Sequence, residues 1–166
     1  MSKMKSAKQI VRASLRATAG FMSLIGGRST AASGAGFEKA DGRVPGRFRI
    51  ETKCPPTNAY RLTGIEWMKL HRIAVRANEV PVFHLKFSGV ELVVLAEKDY
   101  LGFGGLTLAG LVEGAPKGHR ITEDWWLSCL KDNQHMNLSV IEGPKTYLLR
   151  VMPATDFAAL TDTGEQ

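Results

Sequence analysis

The sequence predicts an α/β fold, and three observations predict it. A helix-period segment over 6–22 precedes an alternating strand over 47–53. A hydroxyl-capped helix follows over 64–77, and two apolar runs, 81–87 and 90–96, flank a two-residue turn. Helices interleaved with strands in this way describe a central sheet covered by helices.

In chain order, the first segment places Val11, Leu15, Thr18 and Met22 at spacings of four, three and four. That is one face of a helix, ended near Gly26 and Gly27. After a Gly/Ser/Ala-rich stretch over 26–36 comes a loop with Asp41, Gly42, Pro45 and Gly46. Then Phe48, Ile50 and Thr52 alternate with Arg49, Glu51 and Lys53, a strand stopped by Cys54, Pro55 and Pro56. Thr63 and Glu66 have capping-box spacing, so the next helix runs from Gly64 to Ala77, offering Ile65, Met68, Ala74 and Ala77 to a core. Ser88 and Gly89 connect two strands as a hairpin, and the β-branched content of these strands marks them as central. Beyond the Gly-rich segment 102–110 the chain predicts a helix capped by Thr122, a strand around 147–151 and a short helix begun by Thr155.

The chain has 166 residues, enough for one ordinary domain that buries roughly 70% of its unfolded surface. Cys54 and Cys129 are too few and too far apart for a disulfide framework or a zinc knuckle, which points to free thiols in a reducing compartment. No apolar run approaches the ~18 residues of a membrane span, so no membrane partner is expected. Twenty-two Lys and Arg oppose 16 Asp and Glu, a net charge of +6, and its placement is uneven. Lys3, Lys5, Lys8, Arg12, Arg16 and Arg28 precede the first acid, Glu38, and from there on the charges balance. A basic, acid-free first segment reads as a helix lying along phosphates, as a solvated face, or as an organelle presequence.

The densest polar constellation on a regular element is Glu51, Thr52 and Lys53, with Asp41 upstream. Glu51 and Lys53, two apart on a strand, share a face, and Asp41 comes alongside if the chain doubles back through Pro45 and Gly46. Two carboxylates with a main-chain carbonyl and water suit Mg²⁺, which takes few protein ligands, all oxygen. A neighbouring ammonium would hold water or stabilise charge growing on a phosphoryl group. Beside two carboxylates it should keep its proton, which makes it a better stabiliser than base. Alone, an acid-x-Lys strand is more often a solvated face.

The run Gly26-Gly27-Arg28, Ser33-Gly34-Ala35, Lys39-Ala40-Asp41 and Glu51-Thr52-Lys53, then the Thr63-capped helix and the strand 81–87, resembles the PD-(D/E)xK nuclease superfamily. Within it, the likeness is to the phage and archaeal Holliday-junction-resolvase-like endonucleases. It spans roughly residues 6–103 and says nothing of the rest. The resemblance implies a restriction-endonuclease-like αβββαβ core over 1–105, a central mixed sheet flanked by helices. An α+β appendage over 106–166 would pack on that core and serve dimerisation or substrate shape. It implies Mg²⁺ or Mn²⁺ held by Asp41, Glu51 and the Thr52 carbonyl, with Lys53 completing the catalytic set and orienting water. Arg28 and Ser33 would contact phosphate near the metal, and Lys8, Arg12, Arg16 and Arg61 would contact DNA elsewhere.

The expected activity is therefore metal-dependent hydrolysis of DNA phosphodiesters, in branched or structured DNA such as Holliday junctions. A homodimer is expected, in the cytoplasm of a bacterial or phage-infected cell, with organelle import as the other localisation. The family commonly carries a Glu on its first helix, and this chain has no acid there. Either a second metal position is lost, or one ion suffices, or the alternative holds: a non-catalytic nucleic-acid-binding protein with a degenerate nuclease fold. The four histidines lack metal spacing, and Trp125 and Trp126 read as core.

Overall fold

A computed structural model describes residues 6–29, 41–105, 111–112, 118–131 and 136–162. The chain is α/β, with a mixed central sheet flanked by helices. In order it forms α1 (Ala7–Leu24), β1 (Arg28–Ser29), β2 (Gly42–Val44), β3 (Phe48–Lys53), β4 (Ala59–Leu62), α2 (Gly64–Arg76), β5 (Val80–Lys86), β6 (Glu91–Ala96) and α3 (Glu97–Gly102). There follow β7 (Leu111–Val112), β8 (His119–Thr122), α4 (Glu123–Lys131), β9 (Met136–Glu142), β10 (Lys145–Pro153) and α5 (Ala154–Thr161). Eight strands share one sheet in the order β1-β2-β3-β5-β6-β10-β9-β7, while β4 and β8 pair as a separate ribbon. Within the sheet β3/β5 and β7/β9 are parallel and the remaining pairs antiparallel.

Local chemistry explains the boundaries. Ser6 and Gln9 form a reciprocal capping box at the start of α1. The Thr63 hydroxyl accepts the Glu66 N–H at 3.2 Å to open α2, and the Thr122 hydroxyl accepts the Trp125 N–H at 2.9 Å to open α4. Gly46, at φ +73°, supplies the left-handed residue that turns β2 into β3.

The sheet separates two apolar layers. Phe21 and Met22 of α1 and Phe157 of α5 cover Phe48, Ile50, Val82, Val93, Leu95 and Met152. On the other face Trp67 and Leu70 of α2 and Trp126 of α4 cover Phe83, Leu85, Val94, Leu138 and Val151. Neighbouring residues of β5 and β6 therefore serve opposite layers, as expected of central strands.

The helix faces match the sequence expectation in part: Thr18, Met22 and Ala74 are buried as expected, while other expected core positions are not. Val11 and Leu15 are 58% and 59% exposed, and so is Ile65 at 56%. The largest side chain fixes each helix instead. Phe21 stacks on His84 with centroids 4.2 Å apart, turning Thr18, Phe21 and Met22 inward. In α2 Trp67 is fully buried, and Leu70 and Ala74 follow it at helical spacing.

His84 is enclosed between β3 and β6. Its Nε2 lies 3.1 Å from a Glu91 carboxylate oxygen and its Nδ1 lies 3.3 Å from the Thr52 hydroxyl. A carboxylate only accepts, so Nε2 carries the proton and the Thr52 hydroxyl donates to Nδ1. Burial lowers the His84 pKa from its ordinary 6.5, against the pull of the Glu91 hydrogen bond and charge and with a push from the Lys86 charge. The unfolded chain then binds the proton more readily, so stability is complete above pH 6.5 and falls as pH drops through the folded value. Urea unfolding followed from about pH 7.5 to about 5.5 should show this slope, and His84→Phe should flatten it. An equal slope in the variant would mean that the His84 proton is not lost on folding.

Candidate active site

Asp41 precedes β2, and β2 and β3 form the hairpin that doubles the chain back. Gly42 stands opposite Ile50, and the Asp41 N–H donates to the Ile50 carbonyl at 2.9 Å. The ladder of paired residues ends there. Two residues further along β3, the Thr52 N–H donates instead to Asp41 Oδ2 at 2.8 Å. A strand residue's N–H and C=O leave on the same edge, so the Thr52 carbonyl projects from the edge that Asp41 caps. Asp41 is thus fixed where the sheet edge opens, beside a main-chain oxygen.

Glu51 and Lys53 point to the α2 face, and Lys53 Nζ donates to Glu51 Oε1 at 2.9 Å. A cleft of about 310 Å³ between this strand and α2 is lined by Glu51, Lys53, Glu66, Lys69 and Phe83. Burial raises the Glu51 pKa, the Asp41 charge raises it further, and Lys53 only partly offsets them. For Lys53, burial favours the neutral amine, but the hydrogen bond and charge of Glu51 outweigh it and leave the pKa raised. The two partners thus shift in ways that disagree about the ion pair. Burial comes first for Glu51 and the Glu51 contact outweighs burial for Lys53, and the charges of Asp41 and Glu66 add to both shifts by repelling Glu51 and attracting Lys53. The site holds more negative charge than Lys53 neutralises.

Glu66 lines this cleft and Tyr60 hydrogen-bonds to it; from sequence Glu66 reads only as a helix cap and Tyr60 has no role. Glu66 has the position of a capping-box acid, and its N–H is capped by Thr63. Its carboxylate, however, accepts the Tyr60 hydroxyl at 2.7 Å and the Thr63 hydroxyl at 3.4 Å. Burial and the Glu66 carboxylate push the Tyr60 phenol well above its ordinary range, so it remains a donor. The capping spacing was the only signal in the sequence, and it concealed the second role.

The basic candidates lie apart from one another. Lys8, Arg12 and Arg16 are exposed on α1, across the sheet from Glu51 and Lys53. Their half of the helix nevertheless reaches the end of β3, since Ile10 and Ala13 border a cavity of about 210 Å³ with Cys54, Pro55 and Pro56. Arg28 is exposed on the short strand β1, opposite Arg43. Arg61 lies on the β4–β8 ribbon, where Nη1 donates to the Gly118 carbonyl at 3.3 Å. Ser33 is outside the described residues.

Among the described residues no three His, Cys, Asp or Glu side chains converge to hold a metal by themselves. The candidate donors are the Asp41 and Glu51 carboxylates and the Thr52 carbonyl. Its chemistry fits a hard divalent ion that keeps several waters, and the unneutralised charge on Glu51 and Asp41 is what such an ion would relieve. No helix of the described residues is long and apolar enough to cross a membrane. In comparisons with known proteins, no family model, curated protein or solved structure matches the chain.

Proposed function

We propose that the chain is a metal-dependent endonuclease that hydrolyses DNA phosphodiesters, with branched or structured DNA such as a Holliday junction as substrate and a homodimer as its form. The observation that carries the reading is the junction of Asp41 with β3: an acid capping the open strand edge beside Glu51, Lys53 and the Thr52 carbonyl. The run α1-β1-β2-β3-β4-α2-β5, in which β4 leaves the main sheet and β3 and β5 pair in parallel, supports a restriction-endonuclease-like αβββαβ core with one extra strand before α2.

Asp41, Glu51 and the Thr52 carbonyl would hold Mg²⁺ or Mn²⁺, which supplies Lewis-acid polarisation of the phosphoryl oxygens. Water attacks phosphorus in line with the P–O3′ bond, which breaks to leave a 3′-hydroxyl and a 5′-phosphate. Lys53, held charged by Glu51, stabilises the negative charge that grows on the phosphoryl oxygens. The water's proton goes to solvent or to the leaving group. A cytoplasmic setting accords with the free Cys54 thiol.

The experiment is incubation with a synthetic four-way junction, a linear duplex and single-stranded DNA, each with Mg²⁺ or a chelator. Metal-dependent nicking of the junction is expected. Binding without nicking of any substrate would leave the second reading, a DNA-binding protein with a degenerate nuclease fold, which the absence of any acid on α1 favours.

A further inference from the structure

The β4–β8 ribbon carries a feature that the cleft chemistry does not use. Its inner face, Leu62 and Ile121, is fully buried. On its outer face Arg61 stands directly opposite Arg120 in the antiparallel register, and both are exposed. Directly opposed side chains of such a pair have Cβ atoms about 5 Å apart, and like charges there repel. Among the described residues neither arginine has a carboxylate partner. The Gly118 carbonyl takes one Arg61 N–H and holds that side chain beside the ribbon. Gly118 itself has φ +86°, and a Cβ there would lie 2.4 Å from the Leu62 carbonyl, so the ribbon's crossing is tight. Two guanidiniums are thus presented side by side on a braced two-stranded scaffold.

The ribbon is also coupled to the cleft. Tyr60, on its inner face, donates to Glu66, which lines the cleft with Glu51 and Lys53. An anion bridging the outer arginines would relieve their repulsion and satisfy their remaining donors.

We propose that Arg61 and Arg120 form a phosphate clamp for the sugar-phosphate backbone of duplex DNA, a contact site separate from the cleft that positions an arm of the substrate. The partner named here rests on the endonuclease reading, but binding by the ribbon does not require catalysis.

The test compares wild type, Arg61→Gln/Arg120→Gln and Arg61→Lys/Arg120→Lys for binding to a short synthetic duplex in chelator across a salt series. Nicking of the junction in Mg²⁺ is measured in parallel. The glutamine pair should bind about tenfold more weakly, with the slope of log affinity against log salt reduced by roughly two, while the lysine pair keeps the slope. The melting temperature of the glutamine pair should equal or exceed that of wild type, because a like-charge pair has been removed. If wild type nicks and the glutamine pair binds with unchanged affinity and slope, the clamp is overturned and the nuclease reading stands. If wild type shows the ribbon-dependent slope but nicks nothing, the clamp stands and the nuclease reading falls. Ribbon-dependent binding to phosphatidylglycerol vesicles without binding to duplex would overturn the clamp in favour of lipid headgroups.

Discussion

Glu51→Gln should lower metal-dependent nicking by roughly a thousandfold or more, with little change in thermal stability. The two halves of this result have one cause. Burial and the Asp41 charge raise the Glu51 pKa, so its ionised form is held against a cost in the metal-free protein. A neutral amide of the same shape removes that cost while deleting a ligand charge. Lys53 loses its partner but remains about one-third exposed and can be solvated. Initial rates of junction nicking and a thermal melt, each with and without Mg²⁺, check both halves. Addition of Mg²⁺ should raise the melting temperature of wild type and leave that of the variant unmoved. Undiminished nicking by the variant would sink the site assignment.

The largest stability effect should come from Glu79→Ala. The Glu79 side chain is fully buried and is shared by Arg43, Arg49 and the Gly46 N–H. Arg43 Nη2 donates to Oε1 at 2.5 Å, Arg49 Nε to Oε2 at 2.7 Å, and the Gly46 N–H to Oε1 at 3.2 Å. Removing the acid deletes the buried carboxylate that two guanidiniums share, at a cost of about 3–5 kcal/mol. Typical domains have only ~5–15 kcal/mol in total. Urea unfolding should show a midpoint shift to match, and a loss below about 1 kcal/mol would mean that solvent replaces the carboxylate at little cost. Because Glu79 latches the β2–β3 turn to the start of β5, the variant should also loosen the contact between Asp41 and Thr52.

How much of this was legible depended on whether the information was local. The Thr63 and Thr122 caps, the Ser88-Gly89 connection and the Cys54-Pro55-Pro56 stop act within a few residues, and each is visible in the sequence. The ribbon was not, because Ala59–Leu62 is too short to show a period and its partner lies about sixty residues away. Strands β1, β2 and β9 escaped for related reasons of length and context. The helix faces were misjudged in part because spacing alone weighs Ile65 equally with Trp67, whereas packing favours the larger ring. For the candidate site, Asp41, Glu51 and Lys53 were readable as a strand face and a returning loop. Glu66, Tyr60 and Arg120 were not, since each joins its neighbours only through tertiary pairing.

Strand β10 lies between β6 and β9, so the last strand made completes the middle of the sheet. Leu149 pairs with Ala96, and the intervening stretch is synthesised before that bond can form. During synthesis, therefore, β6 presents an open edge whose residues Leu92–Leu95 are apolar on both faces. The strand bearing Glu51 and Lys53 emerges early, yet the sheet supporting it closes only with residues 145–153. A nascent chain stalled before that point would be exposed to edge-to-edge association. Acquisition of the site and escape from aggregation are thus decided by the same late pairing event.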